Sequence, residues 1–198
     1  MHIVVPADSP AESVADLAGA KLSLGSESSG VRVIASRVIE AAGVSLDDIE
    51  SVSLGIDESV EAMQRGEIDA FFWVGGLPTP GIERLVETQP IRLLPIDHQT
   101  IERVNEGHAG VYRLAEFPVG IYSVEGAIET MVVPNYLVTS EGAEDDVIYE
   151  VLAALFEARP TIARIIAAAG FLDRRQAIFT GPIELHPGAA QYYVDERQ

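Results

Sequence analysis

The first 110 residues alternate short apolar runs with amphipathic segments, and this alternation restricts the chain to few architectures. Apolar runs of strand length lie at residues 3–5, 22–24, 51–54, 69–74 and 91–96. Helical spacing and capping residues predict helices over residues 31–42, 57–63, 79–88 and 100–106. Strands that alternate with helices through short connections are typical of a doubly wound unit with a parallel sheet. The sequence therefore predicts an α/β fold class.

The last 90 residues or so follow another pattern. Extended segments are predicted at residues 112–122, 130–133 and 137–139, and helices around residues 148–155 and 162–166. A helical hairpin with one or two strands buries its own faces poorly. We therefore expect two lobes, one of them incomplete here. The predicted parts are the last strand of lobe 1 (1–9), a complete lobe 2 (10–110), a hinge crossover (111–128) and the C-terminal part of lobe 1 (129–198).

Composition excludes several classes of function. The chain has 31 acidic and 13 basic residues and a formal net charge of −18. Nucleic-acid binding needs clustered lysine and arginine, so no nucleic-acid partner is expected, and an anionic membrane surface would repel the chain. Without cysteine there is no disulfide, no cysteine-bound metal and no thiol nucleophile. The isolated histidines His2, His98 and His108 lack metal-ligand spacing, so neither a metal nor a cofactor is expected.

The loop that follows the second predicted strand is a candidate anion site. Two glycines allow a tight turn, and hydroxyl groups and free amides lie at the start of the next helix. The candidate ligand-binding residues of this loop are Ser26, Ser28, Ser29, Gly30 and Val31. The alternative is an ordinary serine-rich helix cap.

The aromatic strand at residues 69–74 supplies a second candidate. Ligands of open α/β sheets bind at the carboxyl ends of strands, and here a strand ends in a Gly-Gly-x-Pro turn. The candidate ligand-binding residues are Trp73, Gly75, Gly76, Pro78 and Thr79. The alternative is that the aromatic residues belong to the core.

Catalysis has no motif in this sequence. His186 stands near Tyr192 and Tyr193, but no nucleophile elbow or metal-ligand pair accompanies it. A C-terminal segment docked by its aromatic rings is favoured over a catalytic histidine. The residues therefore predict a protein that is not an enzyme and has no catalytic residues.

Several segments, taken in order, are similar to a known family. They lie at residues 16–25, 29–30, 66–72, 76–79, 91–96, 120–122, 132–138 and 186–189. The most specific are Asp69-Ala70-Phe71-Phe72 with Gly76-x-Pro78-Thr79, and His186-Pro187-Gly188-Ala189. These segments resemble the TAXI-type solute receptors of tripartite ATP-independent periplasmic (TRAP) transporters. The resemblance covers essentially the whole chain but lacks the first part of lobe 1, so we expect an N-terminally truncated copy, a fragment or a chain with a misassigned start.

The resemblance implies a periplasmic-binding-protein-like fold of type II, with two lobes that close over a solute. It implies a small carboxylate ligand, glutamate-like or a dicarboxylate, and adds Tyr122 to the ligand-binding residues. The implied partners are TRAP permease subunits, through which the receptor would be peripheral to the membrane. The implied location is extracytoplasmic, although this chain contains no export signal.

Two other functions remain open at this point. An enzyme on the same fold could use the serine-rich loop to hold phosphate or another anion. A ligand-sensing module of a signalling system is the other alternative.

Overall fold

The computed structural model describes residues 1–124, 126–181 and 183–196, in two compact units, Met1–Pro134 and Asn135–Gln198. The strands are β1 (His2–Pro6), β2 (Lys21–Ser23), β3 (Glu50–Val52), β4 (Ala70–Trp73), β5 (Ile91–Leu93), β6 (Arg113–Phe117) and β7 (Ile128–Val132). The α-helices are α1 (Gly30–Ala41), α2 (Ile56–Gln64), α3 (Pro80–Thr88), α4 (His98–Asn105), α5 (Asp145–Ala163), α6 (Arg174–Ala177) and α7 (Pro187–Asp195). The predicted order of strands and helices in the first 110 residues is confirmed.

The first unit is built on a five-stranded mixed sheet with the order β3-β2-β4-β1-β5. β2 is parallel to both β3 and β4, whereas β1 is antiparallel to both of its neighbours. Ile3 lies opposite Phe72 of β4, and Val5 lies opposite Arg92 of β5. Helices cover both faces, so the unit has three layers.

The position of β1 corrects the expectation that residues 1–9 belong to the other lobe. Ile3, Val4 and Val5 are fully buried. Successive strand residues point to opposite faces, and accordingly Ile3 and Val5 lie in one hydrophobic core and Val4 in the other. A strand that is apolar on both faces is stable only inside a sheet covered on both sides. The remaining lobe boundaries stay a prediction.

Two cores fill the space between the sheet and its helices. α1 and α4 supply Ala35, Val38 and Ile101 to the core that contains Ile3. α2 and α3 supply Met63 and Leu85 to the core that contains Val4. The helices of the doubly wound unit are thus amphipathic in the way that the sequence spacing predicts.

A two-stranded antiparallel sheet, β6 with β7, follows the main sheet within the first unit. Its register pairs Arg113 with Val132 and Phe117 with Ile128. Residues 137–139, predicted as part of this strand region, are not in a strand. β7 ends at Val132, and Pro134 follows two residues later, where it cannot donate to a strand ladder.

The second unit is helical. α5 continues through Pro160 to Ala163, so only residues 162 and 163 of the second helix predicted through residues 162–166 are α-helical, as the end of the first helix. Leu152 and Phe156 of α5 pack with Tyr192 and Tyr193 of α7, which docks the C-terminal segment by its aromatic rings. No helix among the described residues is long and apolar enough to cross a membrane.

Gly188 makes the close packing of α7 on α5 possible, and this generates a testable prediction. A Cβ atom at Gly188 would overlap the backbone carbonyl of Asp145. Although alanine is the better helix former, we expect Gly188→Ala to lower the free energy of unfolding by about 1–3 kcal/mol, as overpacking does. Urea unfolding followed by circular dichroism measures this change.

Gly142→Ala is the matched control for this prediction. An added Cβ at Gly142 has no neighbouring atom within 4 Å, so its unfolding midpoint should stay at the wild-type value. A Gly188→Ala protein as stable as the wild type would show that α7 does not approach α5 this closely.

Candidate functional site

The carboxyl ends of three strands meet at one edge of the main sheet. β2, β3 and β4 run in the same direction, and each is followed by a loop and a helix. The residues that precede these helices are Ser29, Gly55 and Thr79. The edge therefore brings together three helix N-termini and both loops that the sequence singles out.

The loop after β2 holds the start of α1 by a short hydrogen-bond network. The Ser29 hydroxyl donates to the Ser26 carbonyl at 2.9 Å and accepts from the Arg32 amide at 3.3 Å. Ser29 is thus a helix cap, as the alternative interpretation of this loop proposes. Ser26 and Ser28 are exposed, and the Val31 side chain is buried, so Val31 can offer a ligand only its backbone.

The glycine that shapes this loop is Gly25. Its φ is +88°, and a Cβ there would lie 2.7 Å from the Ser29 hydroxyl oxygen. Gly30 has no positive φ, and a Cβ there would meet no atom within 4 Å. Gly25 therefore makes the turn, and Gly30 faces open space.

α1 differs from the other two helices that begin at this edge. Its first turn has no acidic residue. At α2 the Glu58 carboxylate accepts from the Gly55 amide at 2.9 Å, and the first turn of α3 contains Glu83. First-turn amides have no acceptor within the helix. Of the three helices that begin at this edge, α1 alone has no carboxylate in its first turn.

Arg32 is a candidate residue that the sequence analysis missed. It lies in the first turn of α1, and its guanidinium donates to the Ser53 hydroxyl, beyond the end of β3, at 2.9 Å. One positive charge thus lies beside the α1 N-terminus. The sequence signal that could have identified Arg32 is a basic residue just after the loop that follows a predicted strand.

The loop after β4 folds back on the strand end. The Trp73 indole donates to the Thr79 hydroxyl at 3.2 Å, and that hydroxyl donates to the Gly76 carbonyl at 2.9 Å. A Cβ at Gly75 would overlap the indole, so only glycine allows this position of the ring. Trp73 is half-buried, Gly75, Gly76 and Pro78 are exposed, and Thr79 is buried.

Tyr122 is buried beneath this loop and does not face solvent. Its hydroxyl accepts from the Thr79 amide at 2.6 Å and lies 3.3 Å from Nε2 of His2. Burial raises the pKa of Tyr122, so the hydroxyl keeps its proton at neutral pH and can donate to His2. Tyr122 is thus close to the candidate site, but two protein groups already use its hydroxyl.

His2 is a buried neutral base. Burial, with a smaller contribution from the amino group of Met1, lowers the pKa of His2 to about 3. Its ring lies 5.1 Å from that of Phe117 and 5.7 Å from that of Tyr122, measured between centroids. When Nε2 accepts the Tyr122 proton, Nδ1 carries the ring hydrogen.

His186 has a structural position in the second unit. Its Nδ1 accepts from the Gly188 amide at 3.3 Å, and this bond caps α7. Its Nε2 lies 3.2 Å from the Ala143 carbonyl oxygen. No group of three or more acidic or histidine side chains in the described parts of the chain could hold a metal ion.

Residues 1–196 match the model of the NMT1-like family. The chain belongs to the NMT1-like family. In structure it is similar to the periplasmic aliphatic sulphonate binding protein SsuA of Escherichia coli, with 19% identity and a TM-score of 0.51. That similarity covers 98% of this chain and 51% of SsuA. The alkanesulfonate-binding protein SsuA of Xanthomonas axonopodis pv. citri, bound to MOPS, matches with 18% identity and a TM-score of 0.49, over 98% of this chain and 54% of that protein.

These findings confirm the fold and correct the family. This NMT1-like chain has the periplasmic-binding-protein-like α/β fold, as predicted. Its assignment to the TAXI receptors of TRAP transporters is wrong, since the family model that spans the chain is NMT1-like and the matched structure is SsuA. The chain spans about half of the length of the SsuA proteins it matches.

The buried His2 makes the stability of this NMT1-like protein depend on pH. The ordinary pKa is 6.5 and the folded value about 3, so between these values the unfolded chain binds more protons than the folded one. The free energy of unfolding therefore falls as pH falls through this window. We expect a loss of about 2 kcal/mol from His2 between pH 8 and pH 5.

Urea unfolding of the wild type and of His2→Gln at both pH values measures this loss. The wild type should lose about 2 kcal/mol more than His2→Gln, whereas His98→Gln, which removes an exposed histidine, should behave as the wild type. Equal pH dependence of the wild type and His2→Gln would contradict a neutral, buried His2.

Proposed function

We propose that this chain is part of an extracytoplasmic solute-binding protein that binds a small organic anion and delivers it to the membrane component of a transporter. The proposed ligand has a sulfonate or carboxylate head group. The proposed contacts are the predicted residues of the loop before α1 and of the loop after β4, together with Arg32. The proposed protein has no catalytic step.

The observation on which this proposal rests is the open N-terminus of α1. Helix N-termini favour anions, because their first amides are unpaired and the helix dipole is positive there. α2 and α3 place acidic residues in their first turns, whereas α1 has Arg32 and no acidic residue. The guanidinium, with its planar set of donors, suits a sulfonate or a carboxylate.

The comparison with the E. coli structure supports the class of ligand. The E. coli structure with the same fold is named a periplasmic aliphatic sulphonate binding protein. A sulfonate and a carboxylate both present several acceptor oxygens to the same donors. We therefore add sulfonate to the carboxylates that the family resemblance implied, and we infer an extracytoplasmic location from the same relative.

Calorimetric titration of the 198-residue protein tests this proposal directly. Ethanesulfonate, propionate and ethylamine are matched in size and differ in head-group charge. We expect one or both anions to bind and the amine not to bind. Absence of heat with either anion, or equal binding of the amine, would overturn the proposed ligand class.

Arg32→Gln should weaken anion binding by roughly tenfold or more, because hydrogen bonds to charged groups contribute about 1.5–3 kcal/mol. Arg103→Gln, which removes an exposed arginine from α4, is the control for the change in net charge. An equal loss of affinity in both variants would mean that the overall charge, and not Arg32, determines binding.

Ser29→Ala and Gly30→Val should both weaken anion binding, and Gly30→Val should weaken it more. Valine would fill the open space above the first amides of α1, where the anion is proposed to lie. Ser45→Ala is the matched control for Ser29→Ala, because the Ser45 hydroxyl likewise accepts from an amide, that of Asp47 at 3.2 Å. Wild-type affinity in Ser29→Ala and Gly30→Val would leave the loop with a capping role alone.

A further inference from the structure

Tyr122 has an unusual backbone conformation, and its hydroxyl contacts two protein groups. Its φ is 51° and that of Ser123 is 60°. Both values lie in the left-handed region, which residues other than glycine and asparagine rarely adopt. The ring is buried in the core that also contains Val4 and Phe71. Such a conformation persists only where surrounding contacts offset its cost of about 1–3 kcal/mol.

The Tyr122 hydroxyl is the first of a series of hydrogen bonds that ends at the candidate site. It accepts from the Thr79 amide at 2.6 Å. Thr79 in turn accepts, through its hydroxyl, from the Trp73 indole at 3.2 Å. The indole lies over Gly75, at the strand edge where the anion is proposed to bind.

From this series of bonds we propose that Tyr122 is a positioning residue, which acts through Thr79 to fix the Trp73 indole and the loop of residues 74–79 at the ligand edge. It touches no ligand itself. The conformation of the segment Gly120–Val124 and that of the loop are then coupled, because the buried Tyr122 hydroxyl of the segment accepts from the Thr79 amide of the loop. The coupling to ligand affinity rests on the proposed function, whereas the positioning of Trp73 does not.

His2 supports this role from the other side. Its Nε2 lies 3.3 Å from the Tyr122 hydroxyl, and its position in β1 is opposite Trp73. With His2 as acceptor of the hydroxyl proton, the lone pairs of the oxygen remain available to the Thr79 amide. A buried hydroxyl that both donates and accepts a hydrogen bond has one favoured orientation.

Trp73 is the sole tryptophan of the chain, so its fluorescence reports on this loop alone. In Tyr122→Phe the ring stays and the acceptor for the Thr79 amide is lost. We expect a shift of the Trp73 emission maximum and stronger quenching by acrylamide. With ethanesulfonate or propionate, whichever binds the wild type, we expect Kd to rise roughly two- to tenfold, as for loss of one hydrogen bond.

Tyr112→Phe is the matched control. Tyr112 and Tyr122 are each 6% exposed and lie in the same unit, and the Tyr112 hydroxyl accepts from Arg37 at 2.6 Å. The same atom is thus removed from an equally buried tyrosine outside the series of bonds. Its Trp73 emission should match the wild type, although its stability should also fall.

Variants of Thr79 distinguish a positioning role of Tyr122 from a mere loss of packing in Tyr122→Phe. Thr79→Val keeps the shape of the side chain but removes the acceptor of the indole, so it should reproduce the emission change of Tyr122→Phe. Thr79→Ser keeps the hydroxyl and should restore wild-type emission. Combining Tyr122→Phe with Thr79→Val should add little to either emission change, because both interrupt one series of contacts.

The outcomes distinguish this inference from the proposed function. Wild-type emission and quenching in a folded Tyr122→Phe protein, as judged by circular dichroism, would overturn the positioning role. An emission change without any change in Kd would overturn the coupling to the ligand edge. If Tyr122→Phe shifts the emission but no anion binds the wild type, the positioning of Trp73 is supported and the proposed function fails.

Discussion

The antiparallel strand β1, inserted between β4 and β5, is the constraint on which the rest of the first unit depends. Ile3, Val4 and Val5 are fully buried, and burying each such side chain stabilises the fold by about 1.5–3 kcal/mol. The same insertion sets His2 opposite Trp73 and within reach of Tyr122. The contacts beneath the candidate site therefore follow from the position of one strand in the sheet.

The proposed anion site lies on a protein with a net charge of −18. This excess of carboxylates acts at long range and is screened over about 10 Å at 0.1 M salt. The amides of α1 and the Arg32 guanidinium act within hydrogen-bond distance, where screening is weak. Local donors thus determine what binds at the edge, while the net charge opposes the approach of anions at low ionic strength.

Periodicity made much of the fold predictable, because strands and helices of a three-layer unit differ in their apolar spacing. The edge that holds Ser29 and Thr79 followed from the order of strand, loop and helix. Pairing was not predictable, since an apolar run such as Ile3–Val5 encodes neither the neighbours of a strand nor its direction. The role of Tyr122 was hidden for a similar reason, because its partner Thr79 is 43 residues away in the sequence.

The wrong family assignment has a physical explanation in the motifs that suggested it. Gly66 has a φ of +67° where α2 ends, and Phe71 and Phe72 fill the two cores on opposite faces of β4. Backbone conformation and packing require such residues in any chain with this fold, whatever it binds. The function of a fold resides instead in its site, and the contacts proposed for this chain include Ser26 and Ser28, which are exposed. Two families that share the fold are therefore alike in their strand and turn motifs, and they differ at positions where a sequence motif carries the least signal.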